Sequence, residues 1–252
     1  MSKVEEDIQK AIQIIDNASF FTDRFEKIYP FATENVYGCF EGYNFKDKNC
    51  LTVLGSSSQM LYMYLNGAKE VTTFDINRLS VYYYFFIKAF LLSKLNKEDL
   101  ISIFTVKSNK RVISKIIRKL DGDAYIFWKT LYNKYGEKLF TDIKLFHEVD
   151  VPTIYHTSGY LEDDSIKELR KIIGKIEPNF INCNVKELSN YLQQKYDLIY
   201  LSNIIEYSDN LELFGDISQN KVAALIKYKQ LIIELSKHLT EDGLLYGGYI
   251  YE

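Results

Sequence analysis

The chain has 252 residues, of which 47% are hydrophobic and 26% charged, and its formal net charge is −3. These values are typical of one folded domain and exclude a disordered chain. The balanced charge also argues against a nonspecific nucleic-acid-binding protein, which needs a surplus of Lys and Arg to neutralise phosphates. We therefore expect one folded domain over residues 1–252 and disfavour a nucleic-acid partner.

Neither the cysteines nor the apolar stretches indicate an exported or membrane-spanning chain. Cys39, Cys50 and Cys183 are an odd number and lack the C-x-x-C spacing of a zinc site. No signal sequence is recognisable near the N-terminus, and the apolar run at residues 81–92 is too short to cross a bilayer. We expect a cytoplasmic protein with no transmembrane segment and no metal site.

Residues 1–50 predict a helical segment that precedes the sheet. Ser2 and Glu5 have the spacing of a capping box, and apolar residues then recur at helical intervals. A second helix is expected over about residues 20–28, and residues 33–43 then lead into a turn before the first strand.

Residues 51–75 have the pattern of a strand, a helix and a second strand. The apolar strand at residues 51–54 ends at Gly55, a helix follows from about Gln59, and the second strand ends at Asp75. A β-α-β unit of this length is right-handed and is typical of the start of a doubly wound α/β sheet.

A long interval separates the second strand from the third, which is expected at residues 179–182. Its patterns are helical, so we predict a helical insertion over residues 78–178 that caps a ligand crevice. The aromatic run at residues 82–86 is expected to form core, with enclosure of an apolar or lipid-like acceptor as the alternative. The basic stretch at residues 107–119 is interpreted as a solvated helix face.

Two further strands, at residues 197–201 and 244–251, are expected on either side of a helix at about residues 218–238. The elements together predict a mostly parallel, doubly wound sheet with the strand order 3-2-1-4-5. The fifth strand then lies at an edge, and we expect it to pair with a second copy of the chain in a homodimer.

Gly55 and Asp75 are candidates for cofactor binding. A glycine at this turn lets a ligand approach the backbone, and an acidic residue about 20 positions later accepts hydrogen bonds from ribose hydroxyls. The G-x-G-x-x-G pattern is incomplete, because Ser57 and Met60 replace its second and third glycines, so a pyrophosphate cofactor is disfavoured. A turn glycine and a helix cap are the structural alternatives for Gly55 and Asp75.

Four short segments resemble the class I S-adenosylmethionine-dependent methyltransferase fold. They are Leu-Thr-Val-Leu-Gly-Ser-Ser-Ser at residues 51–58, Val-Thr-Thr-Phe-Asp at 71–75, Phe-Ile-Asn-Cys-Asn at 180–184 and Tyr-Asp-Leu-Ile-Tyr-Leu-Ser-Asn at 196–203. The serine-rich first turn, the helical insertion and the Leu-Ser-Asn ending are similar to a poorly characterised family that includes the aminocarboxypropyl transferases of betaine-lipid synthesis. The resemblance covers the chain from about residue 33 onward.

The resemblance implies S-adenosylmethionine as the cofactor. It places Gly55, Ser56 and Ser57 at the amino-acid end, Asp75 at the ribose, Ile76, Asn184 and Val185 at the adenine, and Ser202 and Asn203 beside the sulfonium. Loop or cap roles are the alternatives for Asn184 and Asn203. Residues 33–35 either reach over the cofactor's ammonium group or cap a helix, and we favour the cap.

Candidates for catalysis are few. Glu206 and Tyr207 follow the fourth strand at the edge where ligand crevices form, whereas His147 and His156 are expected to be surface or packing residues. We expect a transferase that moves the methyl or the aminocarboxypropyl group of S-adenosylmethionine to an unidentified small-molecule or lipid acceptor. The alternatives are a noncatalytic binding protein on the same fold and an NAD-dependent oxidoreductase.

Overall fold

The computed structural model describes residues 2–17, 22, 24–105, 109–141, 145–150, 154, 157–204 and 221–247. Its strands are β1 (Asn49–Val53), β2 (Glu70–Asp75), β3 (Asn179–Asn182), β4 (Tyr196–Tyr200) and β5 (Leu239–Tyr246). They form one parallel sheet in the order β3-β2-β1-β4-β5. The predicted doubly wound α/β fold and its strand order are confirmed.

Helices cover both faces of this sheet. They are α1 (Lys3–Asp16), α2 (Val36–Cys39), α3 (Ser58–Leu65), α4 (Ser80–Leu92), α5 (Lys97–Thr105), α6 (Lys110–Ile117), α7 (Gly122–Tyr135), α8 (Lys138–Thr141), α9 (Asp163–Ile172) and α10 (Lys221–Ser236), with 3-10 turns at Ile173–Lys175 and Leu188–Asn190. Helices α4 to α9 lie between β2 and β3, as the predicted insertion requires. Among the described residues, no helix is long and apolar enough to span a membrane.

The central strand β1 contributes to two hydrophobic layers. Successive side chains of a strand point to opposite faces. Cys50 therefore belongs to the hydrophobic layer that includes residues of α1, α3 and the insertion helices, whereas Leu51 belongs to the layer on the other face with Leu231 and Leu235 of α10. The aromatic side chains of residues 82–86 belong to the first layer, which confirms their interpretation as core.

The N-terminal helix is fixed to the start of α4 by a buried polar group. The predicted capping box is present, because Ser2 Oγ accepts from the Glu5 N–H and the Ser2 N–H donates to the Glu5 carboxylate. Farther along α1, the buried Asp7 accepts a hydrogen bond from the Tyr82 hydroxyl at 2.7 Å and lies 3.1 Å from Arg78 Nε. This network orients the chain that leaves β2.

The prediction of a helix at residues 20–28 is wrong for the residues of this range that the structure describes. The chain forms isolated bridges instead, from Thr22 to Phe25 and from Ile28 to Phe146. The backbone carbonyls of Glu26 and Lys27 accept hydrogen bonds from a side chain that follows β2, which takes the place of helical hydrogen bonding.

The last strand begins earlier than the sequence predicts, at Leu239 instead of residue 244. Gly243 lies within β5, whose pairing with β4 shifts between Tyr196 and Leu198. A side chain at Gly243 would lie 2.8 Å from the Tyr196 carbonyl oxygen, so only glycine fits the bulged strand. Residues 248–251 of the predicted strand lie outside the described residues.

Candidate functional site

A crevice opens at the carboxyl ends of β1, β2, β3 and β4. The strand order reverses at β1, and open α/β sheets bind their ligands at such a switch point. The crevice has a volume of about 850 Å³, part of which is open to solvent. A crevice in this position is where open α/β sheets hold a cofactor or a small molecule.

Eight of the nine predicted cofactor-binding residues line this crevice, namely Gly55, Ser56, Asp75, Ile76, Asn184, Val185, Ser202 and Asn203. Ser57 is not among the lining residues, because its fully buried side chain lies at the start of α3. The predicted catalytic candidates Glu206 and Tyr207 lie outside the described residues, as does His156.

The turn after β1 brings the backbone close to the crevice. Gly55 has a positive φ of 45°, and its N–H donates to Asp75 Oδ2 at 2.9 Å. A Cβ at Gly55 would meet only Val53 Cγ1, at 3.9 Å, so the backbone conformation rather than crowding requires glycine. Ser57 and Ser202 also have positive φ angles, which non-glycine residues adopt at a cost.

Asp75 ends β2 with its carboxyl group against the crevice. Its Oδ1 accepts from the Asn77 N–H at 2.8 Å, and Oδ2 accepts from the Gly55 N–H. Burial raises the pKa of Asp75, while the surrounding hydrogen-bond donors act in the opposite direction. The helix-cap alternative therefore describes only part of the role of Asp75, because this residue also lines the crevice.

Glu34 is a second carboxyl group of the crevice, and its side chain is only 2% exposed. Oε1 accepts from Gln59 Nε2 at 2.9 Å, from the Tyr200 hydroxyl at 3.3 Å and from the Ser202 hydroxyl. Oε2 accepts from Thr33 Oγ1 at 3.1 Å. All these donors are neutral, and no described Lys, Arg or His forms an ion pair with Glu34.

The two interpretations of residues 33–35 both describe part of the structure. Asn35 caps α2, because its Oδ1 accepts from the Gly38 N–H at 3.1 Å. Thr33 and Glu34 line the crevice instead, and Thr33 Oγ1 accepts from Asn203 Nδ2 at 3.2 Å. Because Asn35 is recognisable in the sequence as a helix cap, the roles of Thr33 and Glu34 in lining the crevice were not predicted.

Residues 24–34, here called the N-terminal strap, cover the crevice. Glu26, Tyr29 and Phe31 of the strap line it. The described part of the insertion, which the sequence predicts as the cap, contributes Ser80. The sequence predicts a helix over the first part of the strap, so this cover was missed. The available signal was that Glu26 and Glu34 flank the apolar and aromatic residues 28–32.

Glu26 is the third carboxyl group of the crevice. Burial and the neighbouring charge of Asp75 raise the pKa of Glu26 to about 7. The thiol of Cys183 and the imidazole of His147, two further titratable groups in or beside the crevice, are both neutral near pH 7. Burial raises the pKa of the lining Cys183 thiol to about 12 and lowers that of His147, stacked on Tyr29 at 3.8 Å, to about 4.

The charge of the lining is one-sided. Glu26, Glu34 and Asp75 carry carboxyl groups, whereas none of the described lining residues is Lys, Arg or His. Those carboxyl groups that are ionised attract cations and repel phosphates, since charges interact more strongly where water is partly excluded.

No protein-family model matches the chain, and the comparison with curated proteins finds no match either. The functional assignment therefore depends on the geometry and charge of the crevice.

Proposed function

We propose that the crevice binds S-adenosylmethionine and that the protein transfers its methyl or aminocarboxypropyl group to a small-molecule or lipid acceptor. The observation that carries this proposal is the lining by Glu26, Glu34 and Asp75 without a described cationic side chain. S-adenosylmethionine is positively charged at its sulfonium and ammonium groups and has no phosphate. NAD has a pyrophosphate, which these carboxyl groups disfavour.

The proposed orientation of S-adenosylmethionine is derived from the strand that each lining residue follows. Asp75 accepts from the ribose, Asn184 and Val185 contact the adenine, and the methionyl part extends past Gly55 toward Glu34. The positive groups of the ligand then approach the carboxyl group that has only neutral partners. In this orientation the ligand's carboxylate lies near Ser56 and Gln59 at the start of α3, where the helix dipole favours an anion.

In the proposed reaction, a nucleophilic acceptor attacks a carbon atom bonded to the sulfonium sulfur. That carbon–sulfur bond breaks, its electron pair stays on sulfur, a neutral thioether leaves and the acceptor's proton goes to water. Because the leaving group is good, correct positioning supplies much of the rate. Methyl transfer leaves S-adenosylhomocysteine and aminocarboxypropyl transfer leaves 5′-methylthioadenosine, so identifying the thioether product identifies the transferred group.

A calorimetric titration with S-adenosylmethionine, S-adenosylhomocysteine and NAD tests the cofactor. We expect Asp75→Asn to weaken binding of the first two ligands about tenfold or more, because a hydrogen bond to a charged group contributes about 1.5–3 kcal/mol. Asp164→Asn is the matched control, since Asp164 is exposed on α9. Equal affinities of wild type and Asp75→Asn, or selective binding of NAD, would contradict the proposal.

We also infer that two copies of the chain associate through β5, which lies at the end of the strand order. The exposed edge of a parallel sheet offers backbone hydrogen-bonding groups to another strand. We place the activity in the cytoplasm, because Cys39, Cys50 and Cys183 are free thiols, which a reducing compartment maintains.

A further inference from the structure

One asparagine fixes the positions of both Glu26 and Asp75. Asn77 Nδ2 donates to the carbonyl oxygens of Glu26, at 3.0 Å, and Lys27, at 3.1 Å. The Glu26 N–H donates to Asn77 Oδ1 at 3.5 Å, and the Asn77 N–H donates to Asp75 Oδ1. The strap and the end of β2 are thus joined where both carboxyl groups line the crevice.

The two carboxyl groups differ in their hydrogen bonding. Asp75 accepts from two backbone N–H groups. The half-buried carboxyl group of Glu26 has no hydrogen-bond partner among the described residues. A polar group that is partly shielded from water and has no partner gains a hydrogen bond when a ligand hydroxyl pairs with it, so Glu26 favours such a ligand.

We infer that Glu26 is a second sugar-binding group, which forms a hydrogen bond with one hydroxyl of a vicinal diol while Asp75 accepts from the other. This inference rests on the proposed function and deepens it, because it names the groups that recognise the ribose. A neutral carboxyl group can both donate and accept, as can a hydroxyl.

The charges around Glu26 favour its neutral form when a ligand enters. Asp75 is the charged group that faces it from the sheet, and burial together with that charge holds the pKa of Glu26 near 7. A neutral sugar displaces water from Glu26, which disfavours its ionised form further. Binding should therefore be strongest below pH 7 and weaken as the pH rises through 7.

The other charged side chains of this region have different neighbours. Arg24 and Glu187 line an adjacent depression, and Lys27 acts on His147. Arg78 lies against Asp7 of α1. None of them therefore replaces Asp75 as the charge that controls the protonation of Glu26.

Calorimetric titration of the full chain with S-adenosylhomocysteine at pH 6 and pH 8 tests this inference. The wild-type affinity should fall about tenfold over this range, since a group with a pKa of about 7 goes from about one-tenth to nine-tenths ionised. Glu26→Gln should bind equally at both pH values and as tightly as wild type at pH 6, because its amide donates and accepts without ionising. Glu26→Ala should bind more weakly than wild type at pH 6.

Glu41→Gln is the matched control, because Glu41 is exposed and should leave the pH profile unchanged. Circular dichroism at both pH values verifies that each variant is folded. A pH-independent wild-type affinity, or the same pH dependence in Glu26→Gln, would overturn the inference alone. A folded protein that binds no S-adenosylhomocysteine at either pH would overturn the proposed function and this inference together.

Discussion

The carboxyl group of Glu34 is buried and accepts hydrogen bonds from neutral donors. Gln59, Tyr200, Ser202 and Thr33 satisfy its hydrogen bonds without neutralising it. An ionised group in such surroundings interacts more strongly with a nearby cation than it would in water. We therefore expect Glu34 to attract a positively charged ligand.

Glu34→Gln should weaken binding of S-adenosylmethionine about tenfold and binding of S-adenosylhomocysteine less. The two ligands differ by a methyl group and the positive charge on sulfur, so the difference between the losses measures the attraction of Glu34 for the sulfonium. Calorimetry with both ligands makes the comparison, with Glu41→Gln as the exposed control. Unchanged affinities for both ligands would refute the charge argument.

The sequence predicts the residues that follow strands better than those on irregular backbone. Asp75 was recognisable because a strand pattern and its distance from Gly55 both point to a ribose site. Glu26 was placed on a helix that the structure does not contain. Glu34 precedes a genuine cap, Asn35, and only the fold brings Glu34 to the end of β4.

Among the elements, the strap depends most on a single side chain. Asn77→Ala removes the hydrogen bonds to the backbone of Glu26 and Lys27. We expect a loss of about 1–3 kcal/mol in the free energy of unfolding, because buried carbonyl oxygens lose their donors. Urea denaturation measures this loss, and native-state hydrogen exchange should show faster exchange of the Ile28 N–H, which donates to Leu145.

The same variant should weaken binding of S-adenosylhomocysteine, because Glu26 is no longer fixed beside Asp75. Asn66→Ala is the control, since Asn66 also donates to a backbone carbonyl, that of Tyr62, but at the end of α3. Faster exchange of the Ile28 N–H with unchanged affinity would mean that the strap does not position a ligand group.

The strands and helices of the sheet core were predictable because their apolar patterns are strong. The strap was not, since its conformation comes from contacts with Asn77 and Leu145, which are distant in sequence. The start of β5 was missed for a related reason. Gly243 is typical of a turn, but in the fold it permits a bulge against Tyr196.

At the scale of the whole molecule, the two edge strands of the sheet differ in length. β3 has four residues and is followed by a short 3-10 turn, whereas β5 has eight residues. Leu244 on β5 is 51% exposed. A long edge strand with an exposed apolar side chain is a surface that natural proteins cover or charge.

Leu244→Lys should convert a dimer of this chain into a monomer, because a lysine on an edge strand opposes pairing with another strand. Light scattering coupled to gel filtration measures the mass, and the wild-type chain should elute as a dimer. Ile126→Lys is the matched control, since Ile126 on α7 is 45% exposed and lies far from β5 in the chain and on another element. A monomeric wild type, or dissociation by both substitutions alike, would contradict association through β5.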